Sequence, residues 1–338
     1  MRSAIYGAGS LGIVLGVYLC KAGQDVTLVN HNPEQVRAMR EHGARIVGTV
    51  EMSARVKACF PEEMEGTYDV IFLLTKQLDN AATARFLKPF LGDTGILCTM
   101  QNGLPEVELA EIVGKKQVLG CTVAWGATLE GPGVSRLTSD TDYLSFGLGP
   151  IEGAWDARCE RVKEILEKMC TVEVVDNLAG MRWSKLLVNA AFSGVGTVIG
   201  GTFGDAVRDR VSRRVCLASI QESIRCARAA NIHLAKIQGS DIEKLLYYEN
   251  PVKKTIALGI LPLAIRRHAA IEPSMLQDLK KHKPCEIGAI NGAVCRWGRK
   301  YGVPTPVNDR IVEVIRDMES GKSQPGMEQL KRFSDLAL

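Results

Sequence analysis

Short apolar runs alternate with amphipathic stretches through the first half of the chain, and the alternation stops near Asn177. Runs at Ser3–Tyr6, Val26–Val29, Val70–Leu74, Gly95–Met100, Gln117–Val123, Gly133–Leu137, Tyr143–Phe146 and Val172–Val175 predict strands. Helical spacing falls between them, as in Leu11–Ala22 and Pro33–Glu41. Strand and helix in turn predict an α/β fold with a parallel sheet. From Leu178 onward nearly everything reads as helix, punctuated at Gly200-Gly201, Asn250-Pro251, Glu272-Pro273 and Val303-Pro304-Thr305-Pro306. The expected organisation is an α/β domain over residues 1–177 and an all-helical domain over 178–338.

One helical stretch breaks its own pattern. RWSKLLVNAAFSG, from Arg182 to Gly194, is apolar or small on most sides, yet Lys185, Asn189 and Ser193 recur every fourth residue and form one stripe. An ammonium group facing packed core would be left unpaired at a cost of roughly several kcal/mol. The wall of a cleft fits both the apolar neighbours and the charge, and a surface lysine snorkelling past its neighbours fits them equally.

Composition narrows the function classes. The chain has 338 residues, 46% hydrophobic and 24% charged, with a formal net charge of only +4, so no strong field for nucleic acid arises. Basic groups at Arg266–His268 and Lys280–Lys283 lack interleaved aromatic platforms and read as solvated faces. Ten cysteines are scattered singly, without a C-x-x-C pair or a histidine at zinc spacing, which predicts reduced core thiols, no metal and a cytoplasmic setting. No window reaches the ~18 apolar residues of a membrane span, and the amino terminus does not read as a signal sequence.

The opening AIYGAGSLGIVLGVYL sets Gly7, Gly9 and Gly12 in the G-x-G-x-x-G spacing, after a strand and before a helix. In that setting the first glycine makes the turn, the second admits a pyrophosphate and the third brings helix against sheet, a Rossmann-type arrangement. Gly7, Ala8, Gly9, Ser10, Leu11 and Gly12 are thus the expected cofactor contacts, with the helix amino terminus facing the phosphates. At the end of the second strand, where NAD sites place an acid, the sequence reads VNHN. Asn30 is neutral, and His31, Arg37 or Arg40 could receive a 2′-phosphate, which favours NADP, although His31 is as readily an ordinary loop residue. Thr75, Lys76, Gln101 and Asn102 sit where later strands end and are expected to face the cofactor; Asn102-Gly103 is also a common turn pair.

Together with WSKLLVN and the run SMLQDLKKHKPCEIGAINGAVCRWGRKYGVPTPVN, these motifs resemble the ketopantoate reductase family over nearly the whole chain, with TKQ, QNG and Gly131–Gly133 between. The resemblance implies a dinucleotide-binding domain, then a helical one, with NADPH reducing a 2-oxo acid in the cleft between them. The implied substrate is 2-dehydropantoate, the product pantoate, and the setting pantothenate and coenzyme A biosynthesis. By matching residues, Lys185 takes the general acid's place and Glu286 that of the substrate-hydroxyl ligand. Asn189 and Ser274 match substrate contacts, with Ser193 one turn on, and Lys76 and Asn102 match the nicotinamide end. The chemistry agrees, because hydride arriving at a ketone carbon builds charge on oxygen that a cation can stabilise and protonate.

Alternatives stand beside these roles. Glu286 after Pro284 could serve a helix dipole, and Ser274 with Gln277 could form a capping box. The chain also departs from the family: Ser193 stands where an asparagine is common, Phe203 where a polar contact is expected, and His31 in place of an arginine. These departures leave room for a different 2-oxo acid. A dinucleotide-sensing protein without turnover is the reading from another class. The helical domain can also offer a homodimer surface.

Overall fold

The computed structural model describes residues 1–237, 239–336 and 338. Contacts divide the chain into two compact units, residues 1–101 with 105–178, and residues 102–104 with 179–338.

The first unit is α/β. Its strands are β1 (Arg2–Tyr6), β2 (Asp25–Val29), β3 (Ala44–Gly48), β4 (Met52–Ala54), β5 (Lys57–Cys59), β6 (Val70–Leu73), β7 (Ile96–Thr99), β8 (Val118–Val123), β9 (Ala127–Gly131), β10 (Val134–Leu137), β11 (Ser145–Pro150) and β12 (Thr171–Val174). Eight of them form one sheet in the order β12-β11-β8-β7-β6-β1-β2-β5. It is parallel except where β11 runs antiparallel to β8. Every residue of β6, β7 and β8 is buried, as a sheet covered on both faces requires. The chain starts centrally at β1, steps outward to β2 and β5, then returns on the other side as β6. Ligands of such sheets lie beyond the carboxyl ends of the strands at this reversal.

A second sheet, in the order β4-β3-β10-β9, packs on the helix Ser10–Lys21. This corrects the sequence expectation twice, since β10 leaves the parallel sheet and β3, β4, β5 and β9 join structures that the hydrophobic pattern did not announce. The reason is local: β4 and β5 have three residues each, and β9 is mostly exposed. Strands this short draw their stability from cross-strand partners rather than from an apolar run of their own. Gly133, at a φ of 73°, turns β9 into β10.

The second unit is helical. Its centre is the 20-residue helix Arg210–Ala229, begun by Asp209, whose carboxylate accepts the Val211 and Ser212 N–H groups at 2.8 and 3.0 Å. Thr202 and Asp205 cap the helix Phe203–Arg208 reciprocally, and Asn250 caps Pro251–Ala264 with proline at the first position. One apolar core joins Leu187, Ala191 and Val195 to Ile220, Ile311 and Ile315. A smaller one gathers Trp183, Leu186 and Ala190 against Ile290, Ala293 and Val294.

Candidate active site

Three chain segments build the cofactor side of the first unit. Gly7 turns the chain out of β1 at a φ of 103°, and a Cβ there would stand 2.6 Å from the Thr75 nitrogen. Gly12 lies so close beneath that its Cβ would meet the Gly7 carbonyl oxygen at 2.6 Å. Gly9 has nothing within 4 Å of the same position, leaving open space at the head of the helix Ser10–Lys21. That helix has neither a side-chain cap nor an acid in its first turn, so its orphan N–H groups and positive dipole end suit a pyrophosphate. The residues present therefore fit a dinucleotide. Ser135 of β10 donates to the Ser10 carbonyl at 2.9 Å, so the second sheet steadies the start of this helix.

A cavity of about 170 Å³ opens beside the turn, lined by Tyr6, Gly7, Val29, Asn30, His31, Pro61, Thr75 and Thr83. It falls below the ~300 Å³ of a full small-molecule pocket and suits one end of a dinucleotide. Gly7, Asn30, His31 and Thr75 were expected from sequence; Tyr6, Val29, Pro61 and Thr83 were not. Tyr6 and Val29 end recognised strands and were within reach of pattern reading. Pro61 follows β5, whose three residues gave no signal.

Two cofactor-side expectations change. Gln101 is buried, and its amide nitrogen donates to the Thr75 carbonyl at 3.0 Å and to Asn80 Oδ1 at 2.8 Å. Thr99 donates to its Oε1 at 3.0 Å. Its side chain ties the ends of β6 and β7 together instead of facing outward. Arg40 is engaged as well, since its Nε donates to the Ala58 carbonyl at 2.9 Å and its guanidinium pairs with Glu63. Arg37, His31 and Lys76 stay exposed.

The lysine helix begins the second unit. It runs Leu178–Val188, continues as a π-turn over Asn189–Ser193, and resumes as α-helix over Gly194–Ile199. Trp183, Leu186 and Leu187 are at most 1% exposed, whereas Lys185 and Asn189 are half-buried and Ser193 is buried. A π-turn carries more residues per turn than an α-turn, so Ser193 swings back toward the line through Lys185 and Asn189. Trp183 meets Trp297 edge to face at 5.4 Å, fixing this helix against Asn291–Tyr301.

Glu286 is buried in a turn ahead of that helix, with its carbonyl accepting the Ala289 and Ile290 N–H groups at 2.9 and 3.0 Å. It does not occupy a first helical turn, so the helix-dipole role fails. The neighbouring Ile287 packs in the core of Leu187 and Ala191, and Ile290 in that of Leu186 and Ala190. The two sides of the lysine helix thereby hold the Glu286 turn. Ser274 opens the helix Ser274–Lys280 but does not cap it, while Gln277 donates to the Glu272 carbonyl at 3.3 Å; the capping box is not formed. This helix packs on the π-turn, and Pro273 presses so close to Gly196 that a Cβ there would lie 2.9 Å from the proline ring. Lys185, Asn189, Ser193, Ser274 and Glu286 thus ride on three mutually packed segments of one unit.

Asn102 is half-buried and groups with this unit through residues 102–104; Leu104 packs beside Trp183 and Leu186. Phe203 is core: it is buried, 6.0 Å from Phe192 between ring centroids. Burial pushes the Cys226 and Cys295 thiols up to about 12, which disfavours their thiolates at neutral pH. Among the described residues no group of His, Cys, Asp or Glu side chains could hold a metal ion, and no helix is long and apolar enough to cross a membrane.

The family described as ketopantoate reductase PanE/ApbA matches residues 3–150, and its C-terminal counterpart matches residues 177–319. A 2-dehydropantoate 2-reductase of Lactococcus lactis subsp. lactis is 28% identical over 94% of this chain and 98% of its own length. One of Archaeoglobus fulgidus is 28% identical over 95% and 98%. The solved ternary structure of D-mandelate dehydrogenase with NADH and anilino(oxo)acetate is similar at 25% identity and a TM-score of 0.81, covering 95% of this chain and 99% of that one.

Proposed function

Because the chain belongs to the ketopantoate reductase family, whose members use a nicotinamide cofactor, we propose that it reduces 2-dehydropantoate to pantoate with NADPH, in coenzyme A biosynthesis. The observation that carries this reading is the gathering of Lys185, Asn189, Ser274 and Glu286 on packed segments of the second unit. When bound, the nicotinamide supplies a hydride to the ketone carbon. Lys185 holds its ammonium at the carbonyl oxygen, stabilises the charge that grows there and gives up the proton that completes the alcohol. Glu286 accepts a hydrogen bond from the substrate hydroxyl, and Asn189, Ser193 and Ser274 orient the acid, with Asn102 at its nicotinamide end. Gly7 to Gly12, Asn30, His31, Thr75 and Lys76 hold the cofactor, and Gln101 supports Thr75.

The phosphate preference rests on the end of β2, where Asn30 and His31 stand in place of an acid. The division at residue 177, with cofactor binding before it and substrate chemistry after it, is part of the same proposal. The singly scattered cysteines, without a C-x-x-C pair, suit a reducing cytoplasm. A homodimer would cover the helix Pro251–Ala264, where Val252 and Leu263 are 70% and 71% exposed. Sedimentation at working concentration tests it.

The likeness to D-mandelate dehydrogenase, with Ser193 in place of a longer amide, favours a second reading in which the acid is bulkier or aromatic. A panel of 2-oxo acids, each offered with NADPH and with NADH, decides between them. Loss of NADPH absorbance fastest with ketopantoate supports the first reading, and a preference for an aromatic 2-oxo acid replaces it.

A further inference from the structure

Inside an α-helix the Ala190 carbonyl would accept the Gly194 N–H. Here Gly194 donates to Asn189 and Ala191 instead, and Ala190 is served from outside the helix by Asn291, whose Nδ2 lies 2.9 Å from its oxygen. Asn291 is fully buried, and the same nitrogen donates to Asn308 Oδ1 at 2.9 Å, which uses both of its hydrogens. Asn308, also fully buried, receives the Ser219 hydroxyl at 2.9 Å and donates to Glu222 Oε2 at 2.6 Å. Glu222 accepts in addition the Val307 and Asn308 N–H groups at 2.8 and 2.9 Å, which ties the start of the helix Pro306–Glu319 to the helix Arg210–Ala229. Gly194 leaves the room this needs, since a Cβ there would stand 2.9 Å from Asn291 Oδ1 and 3.0 Å from Nδ2. A three-residue chain of buried polar groups therefore ends on the Ala190 carbonyl, which the Gly194 N–H does not serve.

We propose that Asn291, anchored by Asn308 and Glu222, is a positioning residue: by capturing the Ala190 carbonyl it holds the Asn189–Ser193 segment as a π-turn and so aims Asn189 and Ser193 at the keto acid beside Lys185. In a regular helix the Ala190 carbonyl would turn to the Gly194 N–H and leave a buried Asn291 N–H without its acceptor, a cost that favours the captured geometry over the regular helix. Asn291 touches no reacting atom in this scheme. Its effect passes through Asn189 and Ser193, and this limb rests on the reductase reading given above.

The test uses the full chain with Asn291→Ala, and with Gly194→Ala to disturb the same contact from the other side. An alanine in place of a helical glycine ordinarily favours the helix, whereas here it must push the Asn291 amide away. Each variant is expected to raise the KM for the preferred keto acid about tenfold or more while kcat falls less and the NADPH Kd stays within about twofold. A crystal structure of either variant is expected to show 189–193 returned to α-helix. A lowered melting temperature with an unchanged KM, or a π-turn retained in the variants, overturns the proposal. If the wild-type chain reduces no keto acid, the reductase reading fails separately, and the crystallographic comparison still decides the claim about the turn. Should Asn291→Ala not fold, Gly194→Ala carries both measurements.

Discussion

The Asn30 side chain donates to the Ala8 carbonyl at 2.9 Å and accepts the Asn32 N–H at 2.8 Å, so the residue that follows β2 grips the glycine-rich turn. An aspartate at this place would lose the donor to Ala8 and set a carboxylate where the extra phosphate of NADPH is expected. Asn30→Asp should therefore lower kcat/KM for NADPH by about tenfold or more relative to NADH. Steady-state rates with both cofactors measure it. An equal loss for the two would show that the phosphate lies elsewhere.

Lys185 and Glu286 answer to different kinetic constants. Removing a proton donor should cut kcat, and general acid catalysis typically contributes about 10²–10⁴-fold, so Lys185→Ala is expected to fall in that range with NADPH affinity intact. Glu286→Gln keeps the shape and loses the charge, and should act mainly on the KM of the keto acid. Turnover and fluorescence titration of NADPH check the pair. Wild-type turnover in Lys185→Ala would remove it as the acid.

What could be read from sequence was what its own residues enforce. A Cβ at Gly7 or at Gly12 would meet backbone atoms at 2.6 Å, and such packing admits only glycine, so the motif and its place at a strand–helix turn carried their meaning openly. The stripe of Lys185, Asn189 and Ser193 was visible for a similar reason, because polar groups stand out on an apolar helix. Gln101 follows a strand end as its position suggests, but Thr75 and Asn80 draw its amide inward, and both lie more than twenty residues away in sequence. The second sheet was hidden because its short strands are specified by one another. The π-turn was hidden too: NAAFS holds no glycine or proline to announce a break, and the cause is Asn291, about a hundred residues away.

The glycines of the turn separate stability from binding. A Cβ at Gly12 meets the Gly7 oxygen at 2.6 Å and Ile5 Cγ2 at 3.1 Å, so Gly12→Ala should destabilise the protein by about 1–3 kcal/mol through overpacking. A Cβ at Gly9 meets nothing within 4 Å. Gly9→Ala should leave the urea midpoint unchanged and weaken NADPH binding alone, since the open space is reserved for the pyrophosphate. Equal NADPH affinity in wild type and Gly9→Ala would place the phosphates elsewhere.

Glu222 should make stability fall as the solution becomes more alkaline. Burial pushes its carboxyl from the ordinary 4.5 up to about 7, against the pull of the Val307 and Asn308 donors and with Asp309 adding to the rise. Between those two values the unfolded chain has released a proton that the native chain still holds, so the native state is favoured at the acid end and loses that advantage as pH climbs to about 7. The full shift corresponds to roughly 3 kcal/mol, nearly all spent before neutrality. Glu222→Gln cannot titrate, and its urea midpoint should stay flatter across this window while the wild-type midpoint declines. Its amide NH₂ would face an N–H donor where either carboxylate oxygen of glutamate accepts, so the variant should be less stable than wild type. Parallel slopes for the two proteins would mean that the carboxyl is already ionised throughout, held so by its three N–H partners.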